Sequence, residues 1–546
     1  MPRKKSSAPT TKVPSQMPYA QQTSQPPPLP PSPRPACEVL RTRQADWRCG
    51  GIVYQVFVDR FAPSQHLEDK LDHYSPPRRL RPWSEVPARG RHLPEEGNIE
   101  GELEFWGGDL DSLRGRLDYI QGLGAEVVYL NPIFEAFTNH KYDTMDYERV
   151  DPQYGSNEDL RALCGDLHAR GMRLILDGVF NHVGRRMPAF QRALADPAAP
   201  ERAWFTIHSG LPHGYLSWRN VRNLPELNLE NPDVRGWVYE SRGSVVQRWL
   251  REYEIDGWRL DVAPDLGLRY LRELTDAAHA ARPGCAVLGE CWNYPEEWLG
   301  VLDGILNLHL RSLIVELARG KMRPPLAQRA VERMIHDAGI EGILRCHTIL
   351  DNHDTPRLAT LLPSIAERNL TRVLQFALPG CPVIYYGSEL GMGSGGAGGD
   401  MENRAPMRWD LASEENADLQ ITRQLAQIRR ANPALRIGDY RALDAGDLFA
   451  FLRMTGDPRQ TILCVVNPSG AEVTESIAVR DSLLMDCAAV ECLLSGERVM
   501  IRCGWLEARV PPQSARLYRT TDQGGAAGYS MFKRVVLSGT VQSDRL

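Results

Sequence analysis

Four short segments of this 546-residue chain carry side chains that could act together. They are Asp177-Gly-Val-Phe-Asn181-His182, Gly257-Trp-Arg259-Leu-Asp261-Val, Gly289-Glu290-Cys-Trp292 and Asp351-Asn352-His353-Asp354, each at the end of an apolar run of strand length. Together they supply carboxylates, imidazoles and an arginine, with neither an obvious thiolate nor a histidine cluster suited to a metal. Two carboxyl groups on neighbouring strands, Asp261 and Glu290, suit displacement at the anomeric carbon of a sugar. One attacks, and the other protonates the leaving oxygen and then activates water; with retention, the pair should stand about 5–5.5 Å apart. Arg259 lies two residues before Asp261, so strand alternation puts both side chains on one face. A fixed cation there should keep Asp261 ionised, whereas Glu290 must start protonated, through partial burial or neighbouring negative charge. A lone Asp after a strand is more often a helix cap than a catalyst. The argument therefore rests on four segments in order, each at the same end of its strand.

The elements needed to bring these ends together are legible. Strand-like runs fall at 52–57, 126–130, 173–177, 257–262, 286–290, 304–308, 347–351 and 382–386. Helical patterns separate most of them, for example over 160–170 and 234–253. Eight strands with intervening helices predict a (β/α)8 barrel over 49–434, with catalytic groups at the C-terminal strand ends. The stretch 183–231, rich in Trp, His and Pro, is too long for a simple connection and should be an inserted excursion over the barrel mouth. From 435 to 520 short alternating runs, at 448–454, 461–466 and 515–518, predict a C-terminal antiparallel β-sandwich. Residues 1–48, which include PPPLPPSPRP, read as a Pro-rich arm unable to bury a core, and 521–546 as a loosely held tail.

Composition narrows the class. Apolar residues make up 42% and charged residues 24%, the balance of an ordinary soluble protein. A formal net charge of −5 argues against nucleic acid as the main partner. No apolar run reaches the roughly 20 residues that span a bilayer, and the basic N-terminus lacks the hydrophobic stretch of a secretory signal. Eleven scattered cysteines with no CxxC pair fit a reducing compartment, so a cytoplasmic location is expected. Gly391-Met-Gly393-Ser-Gly-Gly396 matches GxGxxG in form, but it opens no helix and runs on into Asp400 and Glu402, so it is read as a mouth loop and not a dinucleotide site.

The four segments resemble the signature regions of the α-amylase family of glycoside hydrolases, in the family's order, with a match from about Gly51 to Trp409. The resemblance implies a retaining enzyme acting on α-glucosidic bonds through a covalent glucosyl-enzyme. Asp261 would be its nucleophile, Glu290 its acid/base and Asp354 the third carboxylate. His182, His353 and Arg259 match family residues at the cleaved sugar, and Tyr142, in Asn139-His-Lys-Tyr-Asp143, matches a tyrosine that stacks under it. Trp292 and the excursion at 204–228 would border the acceptor side. His353-Asp-Thr-Pro-Arg357 and Asp400-Met-Glu-Asn-Arg404 resemble segments beside the cut, making Arg357, Asp400 and Arg404 further binding candidates.

The stretch 106–147 and Leu224-Pro-Glu226-Leu-Asn228 are similar to neopullulanases, cyclomaltodextrinases and maltogenic amylases. The implied substrates are maltodextrins, cyclodextrins or pullulan, cut at α-1,4 and in some members α-1,6 bonds, by a monomer or homodimer. Glu226 stands where that subgroup carries lysine. No cofactor is required; the resemblance allows a Ca2+ ion near Asp109, the acidic residue kept from a family calcium site. Two alternatives stay open at this level: an α-glucan transferase or isomerase of branching or trehalose-forming type, which shares the covalent intermediate but passes it to a sugar, and a non-catalytic barrel.

Overall fold

The computed structural model describes residues 35, 37–395, 400–523, 530–533 and 535. Eight parallel strands close a barrel: β1 (Val53–Val56), β2 (Val127–Leu130), β3 (Arg173–Gly178), β4 (Gly257–Leu260), β5 (Ala286–Cys291), β6 (Gly304–Asn307), β7 (His347–Thr348) and β8 (Cys381–Tyr385). Each strand pairs with the next in sequence, and β1 pairs with both β2 and β8. All eight expected strands are present; β7 is shorter than expected, its last residues having left the ladder to form the site.

The barrel has two cores. Val53, Val127, Tyr129, Ile175, Leu288, Leu306, Ile349 and Val383 fill its interior. Alternate residues face outward and join the much larger core beneath the surrounding helices. Gly257 opens β4 where the backbones crowd: a Cβ there would meet the Ala286 carbonyl oxygen at 2.5 Å. Trp258, one residue on, is fully buried on the helix side, so the inward face of β4 falls to Arg259 and Asp261.

After the barrel, six strands form an antiparallel sheet that begins with Asp439–Leu443, Phe449–Met454 and Ile462–Asn467. The pair Val473–Ala478 and Trp505–Val510 lies across a shared apolar core from it, giving a small sandwich. Among the described residues no helix is long and apolar enough to cross a membrane.

Three expectations need correcting. The arm expected over 1–48 gives way at Cys37 to a helix, Cys37–Ala45, in a stretch without proline. Its Arg43 is buried and bonds the Ile437 carbonyl and Asp439, so this segment packs on the folded body; the Pro-rich stretch itself lies, apart from Pro35, outside the described residues. The single helix expected over 234–253 breaks into Pro232–Arg235, a wide turn at Gly236–Glu240 and Val245–Glu252, because Ser241-Arg-Gly-Ser244 interrupts it. In the tail, Phe532 is buried and Asp522 bonds Ser530, so its described part is packed and not loose.

Candidate active site

The register of the barrel assembles the site. Arg259 on β4 pairs with Asp177 on β3 and Leu288 on β5, and Leu260 pairs with Gly289. One residue further, Asp261 stands beside Glu290 at the C-terminal ends of adjacent strands. Arg259 is fully buried and is shared among three carboxylates. Its Nη1 donates to Asp177 (2.6 Å) and Asp261 (2.9 Å), and its Nη2 lies 3.0 Å from Glu290 Oε2. Asp177 also accepts from the Tyr129 and Tyr142 hydroxyls, at 2.7 and 2.9 Å.

Directly after Asp261 comes Val262 with φ +41° and ψ +45°. A β-branched residue in the left-handed region costs on the order of 1–3 kcal/mol and persists only where its surroundings impose it. Here the turn aims the Val262 N–H at Glu290 Oε2, 3.1 Å away. One short segment thus carries the Asp261 carboxylate and a donor that orients Glu290.

A second group faces this one. His353 Nε2 is 2.6 Å from the Tyr142 hydroxyl and 3.0 Å from Asp354 Oδ2, and its ring lies parallel to Tyr142, with centroids 5.4 Å apart. Arg404 bonds Asp354 (2.9 Å) and the His353 carbonyl. Asn131 and Gln55 hold His353 Nδ1 from below. Asp354 and Tyr142 stay half-exposed, open to a ligand entering the mouth. His182 is buried, its Nε2 3.9 Å from Asp261 Oδ2 and, among the described residues, without a hydrogen-bond partner. Trp292, just past Glu290, is 58% exposed, an aromatic plate at the rim.

Electrostatics separate the carboxylates. Burial opposes ionisation of Asp354, but contact with His353 and the charges of Arg404 and Arg259 overcome it and hold this group well below the usual carboxylate range. At Asp261 the balance runs the other way. Burial pushes its carboxyl well above the ordinary range; Arg259 pulls it down, and Glu290, Asp177 and Asp354 push it up again. The expectation that Arg259 alone keeps Asp261 ionised is corrected, because one guanidinium is divided among three acids.

Burial lowers His182 and His347 to about 3, so both are neutral near pH 7. The unfolded chain would protonate each at about 6.5, so between pH 6.5 and 3 it binds more protons than the folded chain, and stability falls as pH falls. Each imidazole should contribute a loss of about 1.4 kcal/mol per pH unit within that window. Urea denaturation of His347→Gln should show a shallower acid loss than wild type, and parallel curves would contradict this.

Most residues expected from sequence meet here: Asp261, Glu290, Asp354, Tyr142, His182, Arg259, His353 and Arg404, with Trp292 at the rim. Arg357 does not. It is fully buried, with its guanidinium over the Tyr385 and Tyr386 rings (4.4 and 4.7 Å) and bonded to the Tyr386 carbonyl, so it supports β8 and cannot touch a sugar. The side chain of Asp400 lies outside the described residues. Sequence reasoning gave no role to Asp177, although its register beside Arg259 would have exposed one, nor to Val262.

The donor set at Asp109 does not suit calcium, which takes six to eight oxygen ligands. Lys70 Nζ lies 2.5 Å from Asp109 Oδ2 and 3.2 Å from the Gln153 carbonyl, while Oδ1 caps a helix at Ser112 N–H. Among the described residues no group of three or more His, Cys, Asp or Glu is placed to hold a metal. The Lys70 ammonium already pairs with the Asp109 carboxylate.

Acidic residues at the ends of β4 and β5 joined by the buried Arg259, with a third at the end of β7 held by Arg404, at the mouth of a (β/α)8 barrel, define a carbohydrate-cleaving enzyme, and the α-amylase catalytic-domain model matches residues 55–430. The chain belongs to the α-amylase family of glycoside hydrolases. It is 32% identical over 488 residues to a cyclomaltodextrinase of Geobacillus thermopakistaniensis, a match spanning 87% of this chain and 77% of that one. It is 30% identical to neopullulanase 2 of Thermoactinomyces vulgaris, spanning 86% and 77%. A solved cyclic α-maltosyl-(1→6)-maltose hydrolase from Arthrobacter globiformis superposes with a TM-score of 0.72 at 27% identity, covering 87% of this chain and all of that one. Within the family the chain falls with the cyclomaltodextrinase, neopullulanase and maltogenic amylase subgroup, and it is a glycosidase acting on α-glucans.

Proposed function

We propose that the enzyme hydrolyses α-1,4 bonds, and α-1,6 bonds more slowly, in short or cyclic maltodextrins, with Asp261 as nucleophile and Glu290 as acid/base. The observation that carries this is the pairing of Asp261 and Glu290 on neighbouring strand ends, both on Arg259. In the first step an Asp261 oxygen bonds to the anomeric carbon, the bond to the departing sugar breaks, and the Glu290 proton moves to its oxygen. In the second step water attacks that carbon, its proton passes to Glu290, and the Asp261–carbon bond breaks. Tyr142 and His353 frame the glucose unit, Asp354 and Arg404 take its hydroxyls, and His182 Nε2 offers a further donor. The productive arrangement has the proton on Glu290, and positive charge developing at the anomeric carbon draws Asp261 to its ionised form.

Digests of cyclodextrin, pullulan, starch and maltotriose, followed by chromatography, test the substrate range. Cyclodextrin and maltotriose should be consumed faster than starch, with maltose and glucose as main products. Rearranged or longer sugars as main products would instead identify a transferase. No metal takes part in this reading: EDTA should leave both activity and Tm unchanged, while Lys70→Met lowers Tm by several degrees. Loss of activity in EDTA, restored by calcium, would contradict it.

A further inference from the structure

The chain carries a formal net charge of −5, yet one flank of the barrel mouth gathers arginines. Arg185 and Arg186 open the excursion after β3, and Arg222, near its far end, comes back beside Arg185. The three clasp one turn of the long connection between β1 and β2. Arg222 donates to the Pro94 carbonyl, Arg185 to the carbonyls of Glu95 and Glu96, and Arg186 pairs with the Glu96 carboxylate. Among the described residues, Arg186 is the only one of the three in contact with a carboxylate. Arg185 Nε meets a neutral oxygen instead, the Asn223 amide, 3.1 Å away. Burial and the charges of Arg222 and Arg186 accordingly lower the Arg185 guanidinium from its ordinary value. Positive charge is collected here and only partly neutralised.

Two clefts meet at this cluster. One, of about 440 Å³, lies between residues 72–78 after β1, Phe137 and Met145 after β2, and Arg186. The other, of about 400 Å³, is lined by Arg185, Arg186 and Gln191. Both have the size of small-ligand sites, about 300–1,000 Å³. The walls select the occupant. A neutral sugar gains most from an exposed aromatic face. The Phe137 ring offers none, because it is buried with the Arg186 guanidinium over it at 3.6 Å and that of Arg78 at 5.0 Å. Arg78 bonds the carbonyls of His73, Ala136 and Phe137, which fixes the wall. Arg186 stays exposed, and a planar guanidinium suits phosphate oxygens taken in pairs. Pro76, Pro77 and Met145 give the larger cleft an apolar side, and Asp72 suits a sugar hydroxyl.

We propose that the two clefts form one site for a phosphate monoester of a sugar, the phosphoryl group held by Arg185 and Arg186 and the sugar seated in the larger cleft. Such an ester carries close to two negative charges near pH 7, which completes the neutralisation that Glu96 begins. The site flanks the catalytic mouth: Phe137 and Met145 belong to the loop that bears Tyr142, and Arg186 follows His182 by four residues. The ester has two possible sources, a free sugar phosphate or a phosphate borne by a glucan chain that also enters the mouth. The second source alone rests on the function proposed above.

The test is isothermal titration of the full chain at low salt, where exposed charge is least screened, with glucose 1-phosphate, inorganic phosphate and glucose. Glucose 1-phosphate should bind at least about tenfold tighter than glucose, and inorganic phosphate, lacking the sugar, more weakly than the ester. Arg186→Gln and Gln191→Glu should each weaken the ester about tenfold or more, the worth of one charge-assisted contact. The second variant leaves every arginine contact to the 94–97 turn in place, so it guards against a loosened fold. No binding of glucose 1-phosphate, glucose bound as tightly, or equal affinity in wild type and either variant would overturn the site. KM for a maltodextrin carrying a 6-phosphate, set against its plain counterpart, then separates the sources. A lower KM that Arg186→Gln abolishes marks the glucan-borne ester, and equal values mark the free sugar phosphate. Calorimetry needs no turnover, so failure of the proposed function would leave the binding test intact.

Discussion

Replacing Asp261 by Asn should lower kcat on maltotriose by about 10⁴-fold or more, since acid–base assistance alone is commonly worth about 10²–10⁴ and the covalent route is lost as well. The amide has nearly the shape of the acid and can still accept from Arg259 Nη1, so the fold should persist. Binding should persist too, because Tyr142, His353, Asp354 and Arg404 are untouched. The expected signature is thus a collapse of kcat with KM changed little, measured by steady-state kinetics beside a Tm within a few degrees of wild type. A variant retaining a tenth of the activity would rule Asp261 out as nucleophile.

Arg259→Met should have the largest effect on stability. Asp177, Asp261 and Glu290 would keep their burial and lose their shared cation, and breaking such a buried arrangement from one side typically costs about 3–5 kcal/mol. The stranded acids would respond by holding protons, which raises their pKa in the folded state above that in the unfolded state. A raised carboxyl contributes stability below its unfolded pKa and loses it as pH rises through the folded pKa. The penalty from urea denaturation should therefore be larger at pH 7 than at pH 5. Arg259→Lys should recover only part of it, because a compact ammonium cannot span three acids as a planar guanidinium does. An equal penalty at both pH values would show that lost packing, and not charge, dominates.

The barrel was legible because its strands are apolar runs, four of which stop abruptly at Asp177, Asp261, Glu290 and Asp351, and that pattern survives without any alignment. Asp261, Glu290 and Arg259 could be placed because alternation along β4 is a local rule. Features that depend on distant segments were not legible. Arg357 follows Asp354 by three residues, yet the chain turns inward between them, with Leu358 N–H bonding Asp351, and the guanidinium ends over two tyrosine rings. Arg186 lies in an excursion without periodicity, so nothing in the sequence linked it to Phe137. The proton balance at Asp261 depends on charges arriving from β3, β4, β5 and β7 at once. The residues from Cys37 to Arg48 were assigned to the arm by their Pro-rich neighbours, although their own composition allows a helix and Arg43 reaches Asp439, almost four hundred residues away.

The most direct test is to trap the glucosyl-enzyme. Glu290→Gln, incubated with an activated maltosyl fluoride, needs no acid to expel the leaving group and lacks the base that would release the product. Proteolysis and mass spectrometry should then find the sugar on the peptide containing Asp261. A sugar attached to another side chain, or fluoride released with no adduct and with inverted anomeric configuration, would contradict the account.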